Sequence, residues 1–324
     1  MKPILGVGAP LLDILARVED AFLEKVPGEK GGMQLVPSQL QDSWIAELGD
    51  RCSIVPGGAA GNTIFGLARL GVPVSMLGKV GNDSYGDLYC RSLAELGGGT
   101  EAFLHTGEAA TGRCAVLITP DSERTMRTHF GASQLLSAAD AAAIDFGRYS
   151  LVYIEGYQIF MTDYFDAVLR CAKAAGCRIA LDLASFEVVR SFREKLRTVI
   201  PQYVDIVLAN EDEAREYLGD FAEEELAGKL LRECEIAVVK IGRRGSIIAG
   251  ADGIRRIPPV MADAVDTTGA GDLWAAGFLY GCVAGKTLEE AGGIGSLVSS
   301  EVVKVIGTKL PEERWEYICR KLGI

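Results

Sequence analysis

Short apolar runs recur along the chain, and most are followed by a stretch whose apolar residues repeat with helical spacing. These runs are apolar on both faces, which is typical of strands buried inside a parallel sheet. Because strands and helices alternate, the pattern predicts βαβ units and a three-layer α/β/α sandwich. The predicted strands are 4–8, 74–79, 151–155, 178–183, 206–209 and 237–241, and the predicted helices are 61–70, 86–96, 163–175, 187–199 and 211–218.

Two stretches, 14–55 and 103–130, depart from this pattern and contain shorter apolar segments. In the second stretch, an apolar run at 114–118 precedes a turn at 119–122 and another run at 124–130, which predicts an antiparallel hairpin. We expect the two stretches to form a small inserted β-sheet that acts as a lid, although an ordinary pair of decorating hairpins is the alternative. The α/β nucleotide-binding catalytic domain is then expected to comprise 1–13, 56–102 and 131–324.

The composition argues against several classes of protein. Of 324 residues, 44 are acidic and 33 are basic, which gives a formal net charge of −11 at pH 7. Such a surface repels polyphosphate backbones, so we expect no nucleic-acid partner. Eight cysteines without a Cys-x-x-Cys pair, together with only two histidines, argue against a structural zinc site. With no signal-peptide pattern and no apolar run of ~20 residues, we expect no membrane contact and a cytoplasmic location.

A glycine-rich turn at 266–272, Asp-Thr-Thr-Gly-Ala-Gly-Asp, is the strongest functional signal, and an apolar helical pattern follows it over 273–281. Glycines let a backbone approach a ligand closely, and the free N–H groups at a helix start attract anions. A carboxylate at Asp272 would accept a proton from an alcohol beside that anion site. The alternative is that Asp272 is only a helix-start charge and the glycines only form a tight turn.

Together with Gly57-Gly58-Ala59-Ala60-Gly61-Asn62, this turn resembles the paired signatures of the ribokinase-like (PfkB) family of sugar and nucleoside kinases. The resemblance extends over essentially the whole chain. Segments at 8–14, 32–36, 78–83 and 182–186 are similar to adenosine kinase-like members, with Ala9 as a departure near the substrate. The resemblance implies transfer of the ATP γ-phosphate to a hydroxymethyl group, with Asp272 as catalytic base and an anion hole made by Gly269, Ala270 and Gly271.

The same resemblance implies a substrate site at the carboxyl edge of the sheet. Asp13 would bind two sugar hydroxyls there, although a loop-capping role is the alternative. Tyr157 follows a strand and would stack on a nucleobase. The residues expected to bind the substrate are Asp13, Gln34, Gly57, Gly58, Asn62, Leu12 and Tyr157.

The resemblance also implies which residues bind the nucleotide and the metal ions. Glu213 would organise Mg²⁺ through water, although 210–213 also fits a solvated helix start. Residues 240–245 would line the ATP site, although a simple hairpin turn is the alternative. Asp266 and Thr268 would hold a monovalent cation such as K⁺. The residues expected to bind ATP are Asn210, Lys240, Gly242, Gly245, Thr267, Glu301 and Gly307.

Three functions remain open at this point. The favoured one is an ATP-dependent nucleoside kinase that acts on adenosine or a related purine nucleoside. A sugar kinase of the same family, for ribose, fructose or an amino sugar, is the second. The third is a non-catalytic nucleotide-binding regulator, against which the intact turn with Asp272 argues. The expected partners are a small-molecule substrate and ATP, in a monomer or homodimer.

Overall fold

The computed structural model describes residues 2–121 and 123–324, and fourteen strands lie in these ranges. Met1 and Ser122, which fall within the expected first segment and hairpin turn, lie outside the described residues. The strands are β1 (Ile4–Val7), β2 (Leu11–Arg17), β3 (Met33–Leu35), β4 (Ser53–Gly57), β5 (Val74–Gly81), β6 (Phe103–Thr106), β7 (Gly112–Ile118), β8 (Arg124–His129), β9 (Leu151–Glu155), β10 (Arg178–Asp182), β11 (Ile206–Asn210), β12 (Ile236–Lys240), β13 (Ser246–Gly250) and β14 (Gly253–Ile257).

Twelve α-helices lie in the described part of the chain, and several 3₁₀ turns connect the elements. They are α1 (Asp20–Leu23), α2 (Ser38–Leu48), α3 (Ala59–Arg69), α4 (Ser84–Ala94), α5 (Ala138–Ala142), α6 (Thr162–Ala174), α7 (Phe186–Tyr203), α8 (Glu211–Leu218), α9 (Glu223–Leu230), α10 (Ala270–Val283), α11 (Leu288–Val302) and α12 (Glu312–Leu322). Among the described residues, no helix combines the length and apolarity needed to cross a membrane.

The main sheet has nine strands in the order β14-β13-β12-β11-β10-β9-β1-β5-β6. The seven strands from β12 to β6 pair in parallel, and β13 and β14 add an antiparallel edge. The six strands predicted from apolar runs all lie in this sheet, with ends within two residues of the expected positions. Parallel strands point their carboxyl ends to one edge, where ligands of α/β folds bind.

Buried side chains form a core on each face of the main sheet. Alternate residues of β1 separate to the two faces, with Leu5 in one cluster and Ile4 in the other. The first cluster includes Phe165 of α6 and Val189 of α7, and the second includes Ile64 of α3 and residues of α10. Helices therefore cover both faces, and the predicted three-layer α/β/α sandwich is confirmed.

A second sheet has five strands in the order β3-β8-β7-β2-β4. The predicted hairpin is present as the antiparallel pair β7 and β8. Apolar side chains on this sheet and on α2, including Leu117 and Trp44, form a separate small core. The small sheet is thus a packed unit with its own apolar face, and its action as a lid stays a prediction.

The expected boundaries between the two units need three corrections. Phe103–Thr106 is not part of the small sheet, because it pairs in parallel with residues 78–81 at the edge of the main sheet. Conversely, β2 begins at Leu11 and runs unbroken to Arg17, because all seven of its residues pair with β7. In the same way, Pro56 and Gly57 belong to the small sheet, since they pair with β2.

Helices α10 and α11 pack with their backbones almost in contact. A Cβ placed on Gly277 would lie 2.8 Å from the carbonyl oxygen of Ile294 and 2.9 Å from Cα of Gly295. The backbone of one helix therefore fills the space that a side chain at 277 would need. Because α10 begins at the glycine-rich turn, this close packing fixes the orientation of the turn against the sheet.

Substituting Gly277 with alanine should lower the free energy of unfolding by about 1–3 kcal/mol, since the added methyl overpacks a rigid backbone contact. Gly293 on α11 provides the matched control, because it is exposed and an added Cβ would meet nothing within 4 Å. Gly293→Ala should instead stabilise the protein by up to about 1 kcal/mol, through helix propensity. Urea denaturation of both variants measures these changes, and equal shifts in one direction would contradict the packing argument.

Candidate active site

Helix α10 begins at the glycine-rich turn and carries Asp272 in its first turn. Gly269 caps the helix with φ of 69°, a left-handed conformation that glycine adopts without strain. The amide of Ala270 donates to the carbonyl oxygen of Thr267 at 3.2 Å, so the expected anion hole loses this member. The amides of Gly271 and Asp272 donate to no acceptor in residues 2–121 and 123–324, and they remain available to an anion.

The Asp272 carboxylate is partly exposed and is held by the first turn of helix α3. Nδ2 of Asn62 donates to Oδ2 of Asp272 at 2.9 Å, which joins residues 210 positions apart. Oγ1 of Thr63 donates to the backbone carbonyl of Asp272 at 3.1 Å. The structure therefore brings the two glycine-rich motifs together. Thr63 had no signal in the sequence beyond its place beside Asn62.

Asp182, at the end of β10, and Lys240, at the end of β12, lie beside Asp272. Nζ of Lys240 donates to Oδ2 of Asp182 at 2.8 Å. A Cβ on Gly271 would lie 3.3 Å from the same Nζ, so the ammonium adjoins the turn. Burial opposes the charged form of Lys240, but the nearby carboxylates, Asp182 first and then Glu213, outweigh it and raise the lysine pKa.

Burial raises the pKa of two carboxyls in this region. For Asp272, burial raises the pKa to about 7, against the lowering effect of the hydrogen bond from Asn62. For Glu213, burial and then the Asp182 carboxylate raise the pKa to about 7, while Lys240 lowers it. A raised pKa of this kind suits a carboxylate that accepts a proton in catalysis at neutral pH.

Asn210 and Glu213 cap helix α8 with each other. The amide and Nδ2 of Asn210 donate to the Glu213 carboxylate at 2.7 and 2.6 Å, and the Glu213 amide returns a bond to Oδ1 of Asn210. The Asn210 side chain, expected to bind ATP, is thus occupied by this cap. Glu213 is 2% exposed, so a metal would reach it through water.

Asp13 lies on β2 and faces Gly57 on the neighbouring strand β4. A Cβ on Gly57 would lie 2.3 Å from Oδ2 of Asp13, so only glycine leaves room for this carboxylate. Gly58 has φ of 82°, and a Cβ there would lie 2.4 Å from the carbonyl oxygen of Ala9. Burial raises the pKa of Asp13 to about 7, and Arg124 lowers it. Asp13 accepts no hydrogen bond from the described residues, which leaves both oxygens for a ligand.

Arg124 of strand β8 bridges the small sheet and the catalytic turn. Its guanidinium pairs with the Asp266 carboxylate and donates to Oγ1 of Thr268. The amides of Thr268 and Gly307 also donate to Asp266, at 3.0 and 2.6 Å. The guanidinium thus engages the side chains of both residues, and the role of Asp266 and Thr268 at a monovalent cation stays a prediction. The Gly307 amide is likewise engaged.

Two residues expected at the substrate lie elsewhere. Leu12 is fully buried in the core beneath the main sheet, among residues such as Ile64 and Val80. Gln34 is exposed on β3 and reaches Gly28, where an added Cβ would lie 1.9 Å from its Oε1. Alternate residues of a strand point to opposite sides, so Met33 and Leu35 face the cavity in its place.

Three residues expected at the nucleotide have structural partners. Glu301 is buried and pairs with Lys304 and Arg314, at 2.5 and 2.7 Å. Gly245 has φ of 95°, and a Cβ there would lie 2.0 Å from the carbonyl oxygen of Ile257. With Gly242 it forms the turn between the antiparallel strands β12 and β13. Residues 240–245 therefore form a hairpin turn, which was the alternative considered for them. Thr267 is exposed in the glycine-rich turn before α10.

A cavity of about 460 Å³ opens between the small sheet and the main sheet. Tyr157 lines it with its hydroxyl near Ser185, and burial raises the tyrosine pKa to about 12. Its stacking on a nucleobase stays a prediction. The lining residues are Ala9, Met33, Leu35, Phe130, Ser133, Gln134, Tyr157, Gln158, Phe160, Met161, Ser185, Glu187 and Val188.

Glu155, at the carboxyl end of β9, is a buried carboxylate that sequence reasoning missed. It accepts hydrogen bonds from the amides of Ala9 and Ala60, each at 2.8 Å, and from Nε2 of Gln158 at 2.9 Å. It therefore fixes the loop after β1 to the start of α3. Asn62, which donates to Asp272, lies in this first turn of α3. An acidic residue ending an apolar strand was the signal available for it.

Comparison with known proteins identifies the family to which the chain belongs. The profile of the pfkB family of carbohydrate kinases matches residues 37–315. Adenosine kinase of Saccharomyces cerevisiae is 26% identical, covering 97% of this chain and 98% of the yeast protein. The structure of adenosine kinase from Sinorhizobium meliloti superposes with a TM-score of 0.86 at 30% identity, over 99% of both chains.

A probable sugar kinase from Rhizobium etli CFN 42 is equally similar in structure, with a TM-score of 0.86 and 29% identity over 99% of this chain and 98% of that one. Because the family profile spans most of the sequence, the family is established. The chain belongs to the PfkB family of carbohydrate kinases, and it is a phosphotransferase with an alcohol group as acceptor.

Proposed function

We propose that this enzyme transfers the γ-phosphate of ATP to the hydroxymethyl group of a purine nucleoside such as adenosine. The observation that carries the proposal is the accessible Asp272 carboxylate beside the free amides of Gly271 and Asp272. Asp272 takes the proton of the acceptor hydroxyl, and the oxygen of that hydroxyl forms the new bond to phosphorus. The bond from the γ-phosphorus to the bridging oxygen breaks, and ADP leaves with that electron pair.

The charges around the turn support this transfer. The two free amides at the start of α10 stabilise negative charge on the transferring phosphoryl group. Lys240 and Arg124 add positive charge from two sides, one from the main sheet and one from the small sheet. Mg²⁺, when bound with ATP, would neutralise charge on the phosphates, and the carboxylates of Asp182 and Glu213 are oxygen ligands of the kind it prefers. Because their oxygens already accept protein hydrogen bonds, these carboxylates would act on it through water.

The shape and lining of the cavity favour a nucleoside over a free sugar. Its volume of about 460 Å³ exceeds the needs of a single sugar ring, and its walls are mainly aromatic and aliphatic. A nucleobase would fill this apolar space, while Asp13 binds the two ribose hydroxyls next to it. The similarity to adenosine kinases of yeast and Sinorhizobium meliloti supports the same choice.

A sugar kinase is the second candidate, and one observation favours it. The Asp13 carboxylate and the Asp272 base would bind a free sugar as readily as the ribose of a nucleoside. The similar Rhizobium etli protein is a probable sugar kinase. Whether the enzyme prefers a nucleoside or a sugar therefore depends on whether the cavity contributes binding energy to catalysis.

A coupled assay of ADP release, run over purine ribonucleosides and sugars with Mg·ATP, tests the acceptor. We expect adenosine or a related purine nucleoside to exceed ribose in kcat/KM by about 100-fold or more, because the apolar cavity adds binding energy that ribose alone does not use. Ribose is the matched control, since it carries the same hydroxyls without the base. Efficient turnover of a sugar with no turnover of any nucleoside would contradict the proposal.

The pH dependence of kcat/KM tests the proton acceptor. Asp272 must be ionised to accept a proton, so kcat/KM should rise with pH through a pKa of about 7. Asn62→Ala removes a hydrogen bond that lowers this pKa, so the acid limb should move to higher pH by about one unit. The exposed Asn82→Ala is the matched control and should keep the wild-type limb. An unmoved limb in Asn62→Ala would mean that another group titrates.

A further inference from the structure

Glu155 is a buried carboxylate whose protein partners are all hydrogen-bond donors. The residue is 2% exposed at the carboxyl end of β9. Its Oε1 accepts from the amide of Ala9 at 2.8 Å and from Nε2 of Gln158 at 2.9 Å, and its Oε2 accepts from the amide of Ala60 at 2.8 Å. A Cβ on Gly8 would lie 2.6 Å from Oε2, so the carboxylate is enclosed by backbone. Because both oxygens are enclosed and already accept bonds, Glu155 is not itself a ligand of the substrate.

The two backbone amides that Glu155 holds belong to two separate connections between the sheets. Residues 8–10 join β1 of the main sheet to β2 of the small sheet. Gly58 joins β4 of the small sheet to helix α3, of which Ala60 is the second residue. The two connections are in direct contact, since a Cβ on Gly58 would lie 2.4 Å from the carbonyl oxygen of Ala9. Glu155 therefore fastens the small sheet to the main sheet at the point where the chain crosses twice.

Each connection leads directly to a residue of the proposed reaction. Asp13 follows Ala9 by four residues and lies on β2, a strand that pairs along its full length with β7. Asn62 lies in the same first turn of α3 as Ala60, and it donates to Oδ2 of Asp272. One carboxylate thus ties the expected ligand of the acceptor hydroxyls to the residue that orients the base.

Holding both connections requires a group that accepts hydrogen bonds on both of its atoms. Backbone N–H groups can only donate, so a carboxylate satisfies the two connections at once, whereas an amide of the same size does not. In Glu155→Gln, the new side chain would accept from one connection and turn its NH₂ group towards the N–H of the other. That second N–H would lose its acceptor and face another donor, which forces the two connections apart.

We propose that Glu155 is a positioning residue for phosphoryl transfer, which fixes the distance between the acceptor held by Asp13 and the base Asp272. It acts through the amides of Ala9 and Ala60 on the two sides of the site. The inference rests on the proposed roles of Asp13 and Asp272, and it applies to a nucleoside and to a sugar acceptor alike.

Steady-state kinetics of Glu155→Gln test this role, with adenosine as acceptor, or with ribose if the wild type phosphorylates only the sugar. We expect KM for the acceptor to rise by about 10-fold and kcat to fall by about 10-fold, because a displacement of about 1 Å disturbs both the acceptor and the base. KM for ATP should change by less than about threefold, since Glu155 holds none of the amides at the start of α10. A KM does not depend on the fraction of active protein, so partial unfolding alone would not produce this split.

Asp205→Asn is the matched control, because it removes a similar carboxylate at the opposite edge of the main sheet. Asp205 is buried just before β11, accepts from the amide of Ile179 at 2.7 Å and pairs with Lys173 at 2.8 Å. This variant should lose thermal stability and keep the wild-type KM for the acceptor.

A double variant tests the path from Glu155 to the base. If Glu155 acts on Asp272 through Asn62, Glu155→Gln combined with Asn62→Ala should have a kcat within about threefold of the slower single variant, since both changes break the same path. Losses that multiply would contradict this path.

Each outcome decides the inference. It is overturned if the acceptor KM of Glu155→Gln stays within about twofold of the wild-type value, or if KM for ATP rises equally. If Glu155→Gln does not fold, Glu155→Asp gives the same comparison, because it keeps the charge but is one methylene too short to hold both connections. Failure of both variants to fold would assign the carboxylate to stability alone and overturn the inference. The proposed function fails separately, since it depends on which acceptor the wild type phosphorylates.

Discussion

Three carboxylates and one ammonium lie together at the carboxyl edge of the main sheet, and the balance of their charges constrains the rest of the site. Asp182, Glu213 and Asp272 would repel one another if all were ionised without a cation between them. Lys240 pairs with Asp182 and lies against Gly271, so its charge reaches the whole cluster. Burial raises the pKa of Asp272 to about 7 against the hydrogen bond from Asn62, while the Asp182 charge adds to this rise and the Lys240 charge opposes it.

The architecture explains how one small volume collects these groups from distant parts of the chain. Parallel strands end at a common edge, which places Glu155, Asp182 and Lys240 close together. The close packing of α10 on α11 then aims the start of α10 at the same edge. The small sheet contributes Asp13 and Arg124 from above, so the site is complete only where the two sheets meet.

Sequence patterns predicted the main sheet well because buried parallel strands are continuous apolar runs. The glycine-rich turn indicated Asp272 because the glycines and the carboxylate are neighbours in the sequence. Other features depend on tertiary contacts that a pattern does not contain. The register of β3 turns Gln34 away and Met33 and Leu35 inward, and a one-residue slip would reverse that choice. Arg124 and Glu155 gave little signal because their partners, at 266–268 and at Ala9 and Ala60, are remote in the chain. Asn210 and Glu301 lie in a helix cap and an ion pair, which use the same residue types as a ligand site, so a sequence pattern does not separate these roles.

In the proposed mechanism, Asp272 accepts the proton while free backbone amides hold the phosphoryl group, and the substitution Asp272→Asn tests this most directly. Asparagine keeps the size and the hydrogen-bonding capacity of the side chain but cannot take the proton. We expect turnover to fall by about 100-fold or more, with ATP affinity measured by calorimetry changed by less than about threefold, since the amides are intact. Turnover near the wild-type rate in Asp272→Asn would contradict the account.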